Sequence, residues 1–263
     1  DGFFTNLHTH KKADKLDNGA GRIGLTWKPA AHWTTRFITS YEYSNQGGYP
    51  YGLYNADKGT TEAVNYNNEG LYRRNLLTSG INIRYNGPHI SFNSQTSYQY
   101  IQDKMGIDQD FSPRNIFYGQ NKIRQHMYCQ EFTVKSVNKS RYHWITGAFV
   151  FRQTINRKVD LSRFTDTTRH LTNSGIPTQG IAFYHQSTLD LLQGLSCSVG
   201  LRYDYEHARC DFSKVQQPLN GNGETKSLEQ FNRSLHFGQF TPRFSMQYLS
   251  CLLYTSPSPR DLS

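Results

Sequence analysis

Long stretches of this chain alternate strictly between apolar and polar residues, and that period admits one kind of secondary structure. In Ile90–Tyr100, the residues Ile90, Phe92, Thr96, Tyr98 and Tyr100 are apolar or strand-forming, while Ser91, Asn93, Gln95, Ser97 and Gln99 are polar. Leu195, Cys197, Val199, Leu201, Tyr203 and Tyr205 alternate in the same way with Ser196, Ser198, Gly200, Arg202 and Asp204. Leu77–Tyr85 and Ile23–Trp27 repeat the pattern. Successive side chains of a strand point to opposite faces, so each segment presents one apolar and one polar surface. A soluble sandwich alternates too, and strand length separates the two architectures. These segments run about ten to thirteen residues, against about five or six for an ordinary strand. A tilted transmembrane strand needs about nine to eleven. The lengths favour strands that cross a membrane.

The connections carry the same message. Trp27 and Trp33 are joined through Lys28-Pro29-Ala30-Ala31-His32, Tyr85 and Ile90 through Asn86-Gly87-Pro88-His89, Val137 and Tyr142 through Asn138-Lys139-Ser140-Arg141, and Leu192 and Leu195 through Gln193-Gly194. These are tight turns with the usual Gly, Pro and Asn chemistry. Between them lie long polar connections, at about Ser44–Tyr72, Asp103–Gln125, Thr154–Gln179 and Ala208–Ser234. Short and long connections thus alternate along the chain, as periplasmic turns and extracellular loops do in outer-membrane barrels. Aromatics gather near segment ends (Trp27, Trp33, Tyr41, Tyr43, Tyr98, Tyr100, Tyr142, Trp144, Tyr203, Tyr205), where interface girdles belong. Strands are expected at Gly2–Leu7, Ala20–Trp27, Trp33–Tyr43, Arg74–Tyr85, Ile90–Ile101, Met127–Val137, Tyr142–Gln153, Gly180–Leu191, Leu195–His207 and Leu235–Leu249.

Composition excludes the main rivals. The longest apolar runs, such as Ala148-Phe149-Val150-Phe151, reach four residues, and a membrane helix needs roughly 18. A disordered chain does not fit 14% aromatic residues. The hydrophobic fraction of 36% and the mean hydropathy of -0.72 suit a barrel, because only every second strand residue meets lipid. The net charge of +9 is scattered, with no run beyond pairs such as Lys11-Lys12 and Arg73-Arg74, so nucleic acid is not expected as a partner. Cys129, Cys197, Cys210 and Cys251 show no C-x-x-C spacing. Asp1 is not an initiator Met, and no signal peptide opens the chain, as expected for an N-terminally incomplete sequence.

The end of the chain reads differently. Cys251–Asp261 match, codon by codon, the conceptual translation of a transposase-type sequencing-library adaptor over eleven consecutive residues. Residues 1–250 are therefore expected to form the natural unit, and residues 251–263 an artefactual tail with no domain of its own.

Several stretches resemble TonB-dependent outer-membrane receptors. Gly180-Ile-Ala-Phe-Tyr-His185 followed by Gly200-Leu-Arg-Tyr-Asp-Tyr-Glu206 looks like the mid-barrel hairpin of that family. Phe240-Thr-Pro-Arg-Phe-Ser-Met-Gln-Tyr248 is similar to its "f-x-P-R-x-s-x-x-Y" strand. Asp108-Gln-Asp-Phe-Ser-Pro113, Gln130-Glu-Phe-Thr133 and Trp144-Ile-Thr-Gly147 resemble the preceding loop and hairpin. Their order and spacing cover roughly residues 20 to 249. The resemblance implies an all-β chain: a partial antiparallel transmembrane β-barrel, about ten long strands of roughly 22, forming an open curved sheet around a plugged lumen. It also implies outer-membrane import of a ferric-siderophore or similar iron complex, driven by the inner-membrane TonB protein through a plug region that this sequence lacks. Cobalamin, haem or oligosaccharide import is the alternative, and a passive porin the rival of a different class. Ten such strands cannot close a barrel of that size, so the fragment alone is expected to be inactive.

No catalytic motif, cofactor site or metal site is expected. Gly-rich phosphate loops, zinc-ligand spacing and nucleophile elbows are missing from the sequence. His8-Thr9-His10 lacks a nearby third ligand and reads as solvated. Asp103, Asp108 and Asp110 with Asn115 lack the Gly and the final Glu of a calcium loop. Asp204 and Glu206 fit a wet lumen better than acid–base work. Substrate capture is expected in the long loops. Tyr49, Tyr51, Tyr54 and Tyr66 with Arg73 and Arg74 make an aromatic and basic loop suited to a planar anionic chelate. Arg157, Lys158, Arg163, Arg169 and His170 make a second basic loop. Either loop also reads as a merely solubilising one, since polarity alone does not make a site.

Overall fold

The computed structural model describes residues 2–138, 140–192 and 194–248. The adaptor-like tail and the last residue of the final expected strand lie outside them. The architecture is all-β, and nine long strands form one antiparallel sheet in strict sequence order. They are β1 (Leu16–Ala30), β2 (Trp33–Gln46), β5 (Leu71–Asn86), β6 (Ile90–Asp108), β7 (Phe117–Ser136), β8 (Tyr142–Arg163), β9 (Thr168–Leu192), β10 (Leu195–Pro218) and β11 (Lys226–Tyr248). A two-residue hairpin, β3 (Tyr54–Asn55) with β4 (Thr60–Thr61), interrupts the connection between β2 and β5. The sheet is open: β1 pairs with β2 alone and β11 with β10 alone. Among the described residues no second sheet packs on it, so they form no sandwich.

Two expectations need correction. Gly2–Leu7 is not a strand; Thr5 makes an isolated bridge with Lys12, and the first long strand begins at Leu16. Nine long strands therefore replace ten. Three of the four long connections, in turn, are mostly strand; Ser44–Tyr72 remains largely loop. β8 and β9 continue until four residues, 164–167, separate them; β10 and β11 are separated by residues 219–225, and β6 and β7 by residues 109–116. The physical reason, seen in β8, is that apolar residues no longer hold the face of Val150 there: Asn156, Lys158 and Asp160 occupy it, while Ile155, Val159 and Leu161 lie on the opposite face. The backbone ladder persists through these segments although the apolar pattern of the preceding strand is not continued. β9 has 25 residues, more than twice the span a bilayer requires.

The register fixes which residues share a face. Paired residues of antiparallel strands point to the same side. One rung therefore crosses the whole sheet on one face: Trp27, Thr35, Ile83, Ser94, Phe132, Ala148, Phe183, Tyr203 and Phe240. The adjacent rung crosses on the other: Thr26, Arg36, Asn82, Gln95, Glu131, Phe149, Ala182, Asp204 and Gln239. The even residues of Ile90–Tyr100 and the odd residues of Leu195–Tyr205 thus lie on the same, apolar face. Its large side chains are uncovered, with Phe183 57% and Phe240 61% exposed. An apolar surface this broad requires a non-aqueous neighbour.

Aromatics band this face at two levels. Trp33 packs against Tyr85, ring centroids 4.9 Å apart and planes tilted by 44°, near the tight turns. Tyr98 packs on Tyr128 at 4.6 Å and Tyr100 on His126 at 4.9 Å toward the other end. Ten residues separate Ile90 from Tyr100, about 33 Å of strand, which at a tilt of about 40° spans the apolar band of about 25 Å in an outer-membrane barrel.

Candidate functional site

The one compact core of the described residues lies in the loop layer beyond the second aromatic band. Ala13, Val64 and Tyr66 bury one another there. Asn6, 2% exposed, ties the N-terminal segment to the β2–β5 connection. Its Nδ2 donates to the Tyr66 carbonyl at 2.8 Å, and its Oδ1 accepts from the Tyr66 N–H at 3.3 Å and the His8 N–H at 3.0 Å. The Leu7 N–H donates to the Val64 carbonyl at 2.9 Å.

A second staple joins this loop to the β6–β7 connection. Asp108, also 2% exposed, accepts from the Asn68 N–H at 3.1 Å, the Asp110 N–H at 3.1 Å and the Phe111 N–H at 3.0 Å. Burial raises the Asp108 carboxyl above the usual carboxylate range, against the downward pull of the Asn68 N–H. Asp110 accepts from the Ser112, Ile116 and Phe117 N–H groups at 3.1, 3.2 and 3.0 Å. Asp108 and Asp110 of the calcium-like stretch therefore hold backbone amides and shape the loop, whereas Asp103 faces Arg74.

The structure brings together some of the expected capture residues and separates others. Tyr49 and Tyr51 lie 5.8 Å apart between ring centroids, and Phe111 joins them at 5.1 Å from Tyr51. Phe111 was missed in the sequence, where a lone aromatic carries no signal; its φ of 51° belongs to the left-handed region that bulky residues avoid. Tyr66, 3% exposed, packs inside the loop layer, and burial pushes its phenol above the usual range, the Asp108 carboxylate adding to the rise. Tyr54 stands apart on the β3–β4 hairpin, 68% exposed. Arg73 and Arg74, consecutive in β5, face opposite sides of the sheet. A cavity of about 490 Å³ opens beside the loop core, lined among others by Asn6, Lys11, Lys15, Tyr66, Glu69 and Arg73.

The second basic loop is dispersed along two strands. Arg169 pairs with Asp160, Arg163 with Asp166 at 3.3 Å, and Arg157 Nε donates to Asn121 Oδ1 at 3.0 Å. Arg157 and Arg163 share one face, and Lys158 and Arg169 the other.

The polar face below the loops carries its own networks. Arg22, Arg36 and Arg84 line a cavity of about 440 Å³ with Asn82 and Gln95, and Asn82 Nδ2 donates to Asn93 at 2.8 Å and Gln95 at 2.9 Å. Further along, Tyr184 Oη lies 3.0 Å from Glu131 Oε1 and 2.9 Å from Thr133 Oγ1. Arg202 pairs with Asp204 and sits 5.9 Å from the Tyr184 ring centroid. Among the described residues no three His, Cys, Asp or Glu side chains converge as metal ligands.

No protein-family model matches the chain. Its fold is shared by solved structures, among them three proteins that take up iron complexes. The ferric yersiniabactin uptake receptor FyuA from Yersinia pestis superposes with a TM-score of 0.76 at 13% identity, over 95% of this chain and 38% of that one. The ferric citrate transporter FecA in its unliganded form gives 0.66 at 11% identity, over 93% and 35%. The ferric-catecholate import receptor Fiu from E. coli K12 gives 0.61 at 10% identity, over 87% and 44%. This chain spans between 35% and 44% of the length of those structures. In fold, the chain is an open antiparallel sheet similar to part of the β-barrel of these three proteins.

Proposed function

We propose that this chain belongs to an outer-membrane importer of a ferric-siderophore or similar iron complex, powered from the inner membrane through TonB. The observation that carries the reading is the two-faced sheet capped at one end by a stapled loop layer. The apolar face meets lipid, the polar face lines the lumen, the tight turns are periplasmic, and the loop layer is extracellular. The edges of β1 and β11 leave their ladder groups unpaired, and the rest of a longer barrel supplies their partners. That the ferric yersiniabactin receptor, the ferric citrate transporter and the ferric-catecholate receptor all take up iron complexes supports the substrate class.

Within the loop layer, Tyr49, Tyr51 and Phe111 offer the aromatic surface for a planar chelate, and Arg74 the charge on the lumenal side. Tyr66 braces the loop from inside. The wall itself performs no chemistry; it positions the loops and lines the path for the cargo. Growth of a deletion strain on defined iron sources, with and without the complementing full-length gene, tests the reading. Rescue on one ferric chelate with iron-repressed expression supports it. Rescue on cobalamin, haem or an oligosaccharide instead, or passive uptake without TonB, contradicts it.

A further inference from the structure

One rung of the sheet concentrates positive charge in a way the import reading does not use. Arg73 in β5 is paired with Lys104 in β6, Lys104 with Lys122 in β7, and Lys122 with Lys158 in β8. Four cations therefore stand directly opposite one another across four consecutive strands, and Arg124 lies one same-face rung away. Like charges directly opposite in a sheet repel, so such a rung is unfavourable unless an anion lies across it. None of the five forms an ion pair among the described residues. Nearby acids are already engaged: Asp160 with Arg169, Asp17 with Lys15, and Asp103 with Arg74 at 3.7 Å. Gln102, Lys104, Lys122, Arg124, Asn156 and Lys158 line one depression of about 610 Å³, bordered also by Asp103 and Ile123.

Its position selects the ligand. These three ladders run without register shifts, so Lys104 shares the face of Tyr98 and Tyr100, the apolar face. Lys104 is four residues beyond Tyr100, about 13 Å of strand and about 10 Å along the normal at the usual tilt. The headgroup layer begins there, and flexible Lys side chains reach back toward it. With strands about 4.8 Å apart, the rung is about 14 Å wide, enough for a headgroup bearing more than one phosphate.

We propose that Arg73, Lys104, Lys122, Arg124 and Lys158 form an outward-facing site for the phosphates of an outer-leaflet lipid headgroup. The proposal rests on the barrel reading above, because it needs the apolar face in lipid and the loop end outside. Basic clusters beside membrane spans bind anionic headgroups through the same charge–charge attraction.

The test uses the full-length protein carrying this chain, reconstituted in nanodiscs and analysed by native mass spectrometry. The probe is bisphosphoryl lipid A, compared with its phosphate-free form. The triple variant Lys104→Ala/Lys122→Ala/Lys158→Ala is expected to retain bisphosphoryl lipid A on the order of a hundredfold less well, from the usual contribution of three cations at an anionic surface. Removing the same charge from the opposite face, with Arg22→Ala/Arg36→Ala/Arg84→Ala, is expected to leave retention unchanged and controls for general charge loss. An environment-sensitive label at Phe183→Cys, quenched by brominated lipid chains, reports separately whether the apolar face meets lipid. Quenching with normal retention in the lysine triple variant overturns the lipid site and leaves the barrel reading standing. No quenching at Phe183 overturns both. Equal retention of the phosphate-free lipid, or complete displacement by millimolar inorganic phosphate, overturns the headgroup assignment.

Discussion

Arg73 and Arg74 are adjacent in β5 yet serve opposite faces: Arg73 Nε donates to Asn45 Oδ1 at 3.0 Å, whereas Arg74 Nε lies 3.7 Å from Asp103 Oδ1 on the other side. A dibasic pair that looks like one feature in the sequence is thus two features in the sheet. Only Arg74 lies on the face proposed above to line the lumen. Arg74→Ala is expected to weaken binding of the ferric chelate about tenfold, the worth of one charge-assisted contact, and Arg73→Ala to leave it unchanged. Titration of the purified full-length receptor with the chelate checks the difference; equal losses in both variants contradict the facing.

Asp108 is the staple between two loops. Asp108→Ala leaves the Asn68, Asp110 and Phe111 amides without their acceptor. The expected cost is about 1–3 kcal/mol of local stability. Hydrogen exchange at these three amides is expected to accelerate by about tenfold or more, while the ladders of β8 and β9 keep their protection. Unchanged exchange at Asn68 would count against the staple.

The β8–β9 turn is expected to loosen in acid. Asp166 Oδ1 accepts from Thr168 Oγ1 at 2.7 Å and from the Thr168 N–H at 3.3 Å, and Arg163 lies beside it. The Thr168 hydroxyl is the main cause holding the carboxyl below its usual range, with Arg163 and the amide assisting. A lowered carboxylate pKa stabilises the folded turn above the unfolded value of about 3.9, and that contribution is lost as pH falls through the lowered value. Protection factors of the Thr168 amide are expected to fall below about pH 4, and Asp166→Ala to abolish that pH dependence.

Gly147 makes room for Tyr184. A Cβ at Gly147 would run into the Tyr184 ring and come within 2.7 Å of the Phe132 carbonyl oxygen. Gly147→Ala is therefore expected to displace Tyr184 from Glu131 and Thr133 and to cost about 1–3 kcal/mol. In a Tyr184→Ala background the cost shrinks without vanishing, because the Phe132 oxygen remains. Additive costs in that double-mutant cycle contradict the coupling.

How much of this was legible in the sequence follows from where the apolar residues fall. Ile90–Tyr100 and Leu195–Tyr205 are legible as strands because their apolar residues all fall on one face and their polar residues on the other. Their common face then followed from the register alone. Thr154–Gln179 reads as loop because Asn156–Lys158 and Arg169–His170 are polar and interrupt the apolar pattern, although the ladder continues through them. Tyr49 and Tyr51 could be picked out as close neighbours in the chain, whereas Phe111 reaches Tyr51 only through the Asp108 staple, a contact across 60 residues. The cationic rung was hidden for the same reason: Lys104, Lys122 and Lys158 meet only once three strands are in register.

The central claim, that one face of this sheet meets lipid and the other water, is tested most directly by a cysteine-scanning accessibility series along Leu195–Tyr205 of β10. The full-length protein is reconstituted in bilayers with Cys129, Cys197 and Cys210 replaced, and nitroxides are attached one position at a time. Collisions with oxygen should dominate at Val199, Leu201 and Tyr203, and collisions with a water-soluble nickel chelate at Ser198, Gly200, Arg202 and Asp204, with a period of two residues. A uniform profile, or one with the two phases exchanged, contradicts the account.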